Sequence, residues 1–284
     1  MLKPWSKPLI FTDFDGTLLD HDDYNFDAVT PLLQQLTQRN IPVIPNTSKT
    51  FAELKDLMAK LSLLSPFIVE NGAAVYLPKS IFLQQPEHTE SVQEYWCRTF
   101  ALPRSHWQSA LMKAKQEFAD LFVPMSEMTD AYLADMTGLT LNEAKLANQR
   151  EFGEPIQWLG SESKQADFID YMVKQGATVV KGGRFIHIGS DANKGHAMQW
   201  VVNMSQQTFL SNHDECKNWY SIALGDSDND ISMLEKADVA VRIRSKHHPF
   251  PALDRDNDIV DSQQYGPSGW VECIEHILEG HLAQ

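Results

Sequence analysis

Near its start the chain reads Phe11-Thr12-Asp13-Phe14-Asp15-Gly16-Thr17, two carboxylates one residue apart behind an apolar run. Carboxylates are costly to desolvate unless a cation or hydrogen-bond donors compensate them. One reading is a strand that runs out into a solvated turn. The other is a catalytic pair at the mouth of a sheet, since alternate residues of a strand share a face and Gly16 permits the turn that exposes them. An aspartate in that position can attack phosphorus to give an acyl phosphate. A second carboxyl can protonate the leaving alcohol and later activate water.

Three other stretches lie where an apolar strand ends or a helix begins, the place where ligands bind in open α/β sheets. Gly225-Asp226-Ser227-Asp228-Asn229-Asp230 follows the strand-like Tyr220 to Leu224. Mg2+ favours oxygen ligands of this kind, taking one or two carboxylates together with phosphate and water. The plainer alternative is an acidic turn that caps the next helix. An EF-hand is excluded, because the loop lacks its glycine and its terminal glutamate. Asn46-Thr47-Ser48-Lys49-Thr50 offers hydroxyls and backbone N–H groups at a helix start, which suit a phosphate or ordinary helix capping. Asn193-Lys194-Gly195 opens a further helix, where Lys194 either neutralises a phosphate and an attacking carboxylate together or stands solvated.

The formal net charge of −14 disfavours nucleic acid and anionic membranes as partners. An anionic small molecule then needs local positive charge, which Mg2+ and Lys194 would supply. Cys97, Cys216 and Cys273 are odd in number and far apart, and read as reduced thiols of a cytoplasmic protein rather than as a disulfide frame or zinc site. The first residues have no signal-peptide core, and no window approaches the ~18 apolar residues of a membrane span.

The elements that must position these groups alternate in type. Pro8 to Phe14 reads as a buried strand, followed by helical spacing at Val29, Leu32, Leu33 and Leu36. Residues 41–46 form a short apolar run, although Pro42 and Pro45 argue against a central strand. Thr50 and Glu53 form a capping-box pattern, and Asn71-Gly72 marks a hairpin. Between 83 and 189 the pattern changes to amphipathic helices over 107–121 and 163–176, a helix start at Thr140, and a hairpin turning at Gly182-Gly183. From 193 the alternation returns, with strands at 220–226 and 239–243 and a final helix over 268–280. The expected fold is α/β, a Rossmann-like parallel-sheet core (1–82 and 190–284) with an inserted α+β cap domain (83–189).

In this order the four stretches resemble the haloacid dehalogenase-like phosphatase superfamily. The resemblance implies that Asp13 is the nucleophile and Asp15 the general acid/base, with Thr47 and Lys194 holding the phosphate. It also implies that Asp13, the backbone carbonyl of Asp15 and Asp226 bind Mg2+, supported by Asn229 and Asp230. Ser48-Lys49-Thr50, the run 69–76 with Glu70 and Asn71, Arg150-Glu151-Phe152-Gly153-Glu154-Pro155 and the run 182–188 with Arg184 are similar to the mannosyl-3-phosphoglycerate phosphatase family. By that similarity the substrate-binding set is Ser48, Lys49, Glu70, Asn71, Arg150, Glu151 and Arg184. Lys49, Arg150 and Arg184 would pair a carboxylate or orient the phosphate, and Glu70, Asn71, Glu151 and Glu154 would accept sugar hydroxyls. Each also has a structural reading, as turn, ion pair or solvated surface. The tract Arg242 to Pro251 departs from the family and is expected to be a solvated loop, with a basic flap near the site as the alternative. The resemblance leaves a broad sugar phosphatase, a phosphomutase or a non-catalytic phosphate-ester binder as rivals.

Overall fold

The computed structural model describes residues 6–182, 184–208 and 218–282. The chain begins with β1 (Ser6–Thr12), α1 (Thr30–Gln38), β2 (Val43–Pro45) and α2 (Phe51–Lys60). Two hairpins follow, β3 (Phe67–Val69) with β4 (Ala74–Pro78) and β5 (Glu90–Val92) with β6 (Tyr95–Thr99). Then come α3 (Arg104–Phe118), β7 (Phe122–Pro124), α4 (Asp130–Thr137), α5 (Leu141–Ala147) and β8 (Glu154–Trp158). Next are α6 (Glu162–Lys174) and the antiparallel pair β9 (Thr178–Lys181) and β10 (Ile186–Gly189). The chain returns through α7 (Lys194–Thr208), β11 (Asn218–Gly225), α8 (Ile231–Lys236), β12 (Val239–Arg244), β13 (Ile259–Tyr265) and α9 (Gly266–Leu282).

The fold is α/β. Five strands form a sheet in the order β13-β12-β11-β1-β2, and each neighbouring pair is parallel. Parallel neighbours need crossover connections, which helices supply elsewhere in the sheet and an irregular segment, 245–258, supplies between β12 and β13. β1 and β11 are nearly continuous apolar runs because the centre of such a sheet is buried on both faces. Leu9, Ile10, Phe11, Ile222, Ala223 and Leu224 are all buried. The two prolines of the second run do not prevent a strand: β2 lies at the sheet edge, where a missing ladder donor is tolerated.

The chain divides into two compact units, the first of residues 1–48, 58–98 and 193–284, the second of 49–57 and 99–192. In the first unit a four-stranded sheet, β3-β4-β6-β5, accompanies the parallel one. Residues 83–98, grouped with the insert in the sequence reading, pair here as β5 and β6. The second unit carries the antiparallel sheet β7-β8-β10-β9. Its core joins Trp107, Leu111, Ala114 and Phe118 of α3 to Phe168 and Met172 of α6 and to Ile156, Ile186 and Ile188 of the sheet. Thr50 with Glu53 and a full capping box at Thr140 with Glu143 are present as expected, while the helix expected from Ser163 starts at Glu162 with Ser161 as its cap. Cys97 and Cys273 are buried and not in a disulfide; Cys216 and Gly183 lie outside the described residues. Among the described residues no helix is long and apolar enough to cross a membrane.

Candidate active site

Parallel register brings the sequence-distant carboxylates together. β1 pairs with β11 so that Thr12 stands opposite Leu224, and the Asp13 amide continues the ladder to the Leu224 carbonyl at 2.9 Å. Asp13 and Asp226 therefore leave neighbouring central strands at the same carboxyl edge, as ligand sites in open sheets require. The Trp270 indole donates to the Thr12 hydroxyl at 3.1 Å, fixing the residue before Asp13. Gly16 turns the chain with φ of 76°, and a Cβ there would stand 2.6 Å from Asp226 Oδ2.

Lys194 is the first residue of α7 and is fully buried. Its ammonium donates to Asp13 Oδ1 at 2.7 Å and to Asp230 Oδ1 at 2.6 Å. Asp230 Oδ2 accepts the backbone amides of Asp226 at 3.0 Å and Ser227 at 3.1 Å. Both Asp230 oxygens are thus engaged in holding Lys194 and the turn after β11. Asp226 Oδ1 accepts the Thr17 hydroxyl at 3.3 Å, and its Oδ2 lies 3.2 Å from His248 Nε2.

Lys194 is placed from behind by two further contacts. The Asn46 side-chain amide donates to the Lys194 carbonyl at 3.0 Å. Gly72 (φ 95°) lies so close to Asn193 that any Cβ would overlap the Asn193 carbonyl. Glu70 and Asn71, just before it, also hold positive φ. That hairpin is tied to the end of β2, where Asn71 N–H donates to the Thr47 carbonyl at 2.9 Å and Thr47 N–H to the Ile68 carbonyl at 3.1 Å. The Asn229 amide reaches Asn71 Oδ1 at 3.2 Å.

The electrostatics follow from burial. Burial pushes the Asp13 carboxyl up, to about 7, against the opposing charge of Lys194 and with help from Asp230 and Asp15. Burial and Asp230 likewise push Asp226 up, to about 6, while His248, Thr17 and Lys194 oppose. Burial alone would lower the Lys194 ammonium, but Asp13 and Asp230 overcome it and raise it, so Lys194 is a permanent cation. Ligand oxygens of Asp13, Asp226 and Asp230 all lie within 4.8 Å of one another. Three buried carboxylates against one ammonium leave an excess of negative charge, and an all-oxygen donor set suits a hard divalent cation. The residues present fit such an ion.

Of the residues singled out in the sequence, Asp13, Asp15, Thr47, Ser48, Glu70, Asn71, Lys194, Asp226, Asn229 and Asp230 all belong to the first unit. Lys49, Arg150, Glu151 and Arg184 belong to the second. Arg184 and Glu151 are exposed, and Lys49 and Arg150 are half-buried. Arg150 faces His187 on β10: burial first, and then the Arg150 charge, push that imidazole down to about 4. Glu154 needs correction. It does not await a sugar hydroxyl, because it is fully buried and accepts Arg104 Nε at 2.6 Å, Arg104 Nη2 at 3.0 Å, Gln108 at 3.1 Å and the Ser126 amide at 3.0 Å. The tract after β12 is also more than a solvated loop. Arg242 of β12, forked to Asp261 of β13 at 2.7 and 2.8 Å, also donates to the Pro251 carbonyl at the far end of the tract at 3.1 Å, His247 meets Asp22 at 3.1 Å, and His248 reaches Asp226. His248 was missed in the sequence; its signal is a histidine pair just past a parallel strand.

Comparison with known proteins agrees with this geometry. Residues 10–99 match the haloacid dehalogenase-like hydrolase family. Over 275 residues, 96% of this chain and 97% of the relative, the sequence is 32% identical to a glucosyl-3-phosphoglycerate/mannosyl-3-phosphoglycerate phosphatase of Methanococcoides burtonii. A protein of the same description from Persephonella marina is 34% identical over 273 residues, covering 95% of this chain and 97% of the relative. Among solved structures, a phosphatase of the haloalkanoate superfamily from Bacteroides thetaiotaomicron superposes with a TM-score of 0.63 at 17% identity, over 96% of each chain. The sucrose-phosphatase of Synechocystis sp., solved with sucrose and phosphate, gives 0.56 at 16% identity over 95% of this chain and 98% of that one. At those identities the structural likeness concerns the fold alone.

Proposed function

This chain belongs to the haloacid dehalogenase-like hydrolases and is a phosphoric monoester hydrolase, and on that premise we propose that it removes phosphate from mannosyl-3-phosphoglycerate or its glucosyl counterpart with Mg2+ as cofactor. The observation that carries this reading is the buried cluster of Asp13, Asp226 and Asp230 with Lys194 paired to Asp13 and Asp230, together with relatives of that description along nearly the whole chain.

The roles follow from the contacts. Asp13 Oδ1 is held by Lys194, which favours the ionised carboxylate against its burial and aims it, so its other oxygen attacks phosphorus to give an aspartyl phosphate. Asp15, two residues on in the turn, donates a proton to the departing glycerate oxygen and then takes one from the water that opens the acyl phosphate. Thr47 and Lys194 bind the phosphate oxygens. Asp13, Asp226 and the Asp15 carbonyl would hold Mg2+, which when bound offsets the charge of the phosphate. Asn229 and Asp230 keep the turn after β11 in shape. For substrate recognition the proposed residues are Lys49, Arg150 and Arg184 for the glycerate carboxylate, Glu151 for a sugar hydroxyl, and Ser48, Glu70 and Asn71.

The test is phosphate release across a panel of esters, with and without Mg2+. Mannosyl- and glucosyl-3-phosphoglycerate are expected to be the best substrates, and only with the metal. Equal turnover of hexose phosphates points to a broad sugar phosphatase, and interconversion of sugar phosphates to a mutase; either outcome defeats the substrate assignment.

A further inference from the structure

The second unit contains a buried ion pair that the reaction does not use. Arg104, at the start of α3, and Glu154, at the start of β8, have side chains 12% and 0% exposed. The hydrogen bonds of Arg104 fall on one short segment, while Glu154 also accepts Gln108 and the Ser126 amide. Arg104 offers Nε and Nη2 to Glu154, Nη1 to the Asn148 carbonyl at 2.6 Å, and Nη2 also to Asn148 Oδ1 at 3.1 Å. Its backbone amide donates to the Glu151 carbonyl at 2.7 Å. One arginine therefore grips the beginning, the middle and the end of residues 148–154. Phe152 is buried as a further anchor, while Arg150 is half-buried against His187 and Glu151 is exposed.

Stability alone does not account for such a pair. Burying two charges costs solvation that their attraction does no more than offset, and apolar residues of the same volume often do as well. What the pair supplies is geometry, because a planar guanidinium fork accepts few arrangements of its partners. We propose that Arg104 and Glu154 are positioning residues for substrate selection: they hold the 148–154 segment in the one shape that presents Arg150 and Glu151 to the ester's leaving group. The inference rests on the assignment of Arg150 and Glu151 to substrate recognition.

It is tested with Arg104→Lys, which keeps the charge and loses the fork, and with Asn148→Ala, a milder change at a half-exposed site. KM and kcat are measured in Mg2+ for the ester that the wild-type enzyme hydrolyses best and for p-nitrophenyl phosphate, whose leaving group is small. Arg104→Lys is expected to raise KM for the larger ester about tenfold, equivalent to about 1.4 kcal/mol. Asn148→Ala should raise it about threefold. Both should leave kcat, and KM for p-nitrophenyl phosphate, within about twofold. Amide exchange at residues 149–153 should quicken in both variants without substrate, and Arg150→Ala should reproduce the KM effect.

Equal losses on the two esters, or an unchanged KM for the larger one, would overturn the proposal. If Arg150→Ala raises KM while Arg104→Lys does not, the clamp alone is wrong. If Arg150→Ala has no effect, both the clamp and the recognition set fall. A wild-type enzyme that prefers another ester overturns the substrate assignment only, and the same ratio is then read on that ester.

Discussion

Replacing Lys194 with methionine removes the ammonium and keeps much of the side-chain volume. In the folded protein Asp13 and Asp230 would then face each other without their shared cation, 2.7 and 2.6 Å from where it stood. Removing one partner of a buried pair costs about 3–5 kcal/mol, because the remaining charge stays buried and uncompensated. The deficit should depend on pH. Burial already places the Asp13 carboxyl above its unfolded value of 3.8, at about 7, and loss of Lys194 raises it further. Between those values the folded state binds a proton that the unfolded state does not, so stability falls as pH rises. Urea unfolding of wild type and variant in EDTA is therefore expected to show the full deficit at pH 8 and a smaller one at pH 5. A deficit below about 1 kcal/mol at pH 8, or the same deficit at both pH values, would refute the claim that Lys194 neutralises a buried carboxylate pair.

Other consequences are as direct. Asp13→Asn should lower kcat by roughly 10⁴-fold or more while the protein stays folded by circular dichroism, as expected when a group acting in concert with others is removed. EDTA should abolish phosphate release, and Mg2+ at about 100 times its Kd should restore it and add about 2.7 kcal/mol of stability in urea unfolding. Gly72→Ala should cost about 2–4 kcal/mol, from positive φ plus overlap with the Asn193 carbonyl, and lower soluble yield. His187 is held neutral down to about 4 by burial and Arg150, so the unfolded state binds the extra proton between about 6.5 and 4. Its contribution is then lost as pH falls through that window, up to about 3 kcal/mol, and His187→Gln should flatten that part of the stability–pH curve.

What could be read in the sequence were features set by short-range rules. Asp13, Asp15, Asp226 and Asp230 stand at the ends of continuous apolar runs, and parallel sheets gather strand ends at one edge. Thr50 with Glu53 and Thr140 with Glu143 spell out their caps three residues apart. β5 to β8 escaped because they are three to five residues long, and β13 because it is mostly polar and only Ser262 in it is buried. Pro42 and Pro45 argued against a central strand, and β2 is indeed at the edge of the parallel sheet. Glu154 read as a solvated or sugar-binding acid because its partner lies 50 residues away on α3. His248 reaches Asp226 only through the folding of a loop that Arg242 anchors to the neighbouring strand.

The central claim is that Asp13 takes the phosphoryl group from a sugar-glycerate ester. Its most direct test is millisecond rapid quench of the wild-type enzyme with mannosyl-3-phosphoglycerate carrying radioactive phosphate, in Mg2+ and an equal concentration of unlabelled fructose 6-phosphate. With Asp15 serving both proton steps, label is expected to appear on one peptide containing Asp13 before phosphate is released, and to be removed by hydroxylamine. Label on another residue, no covalent label while phosphate is still released, or label abolished by the hexose phosphate would contradict the account.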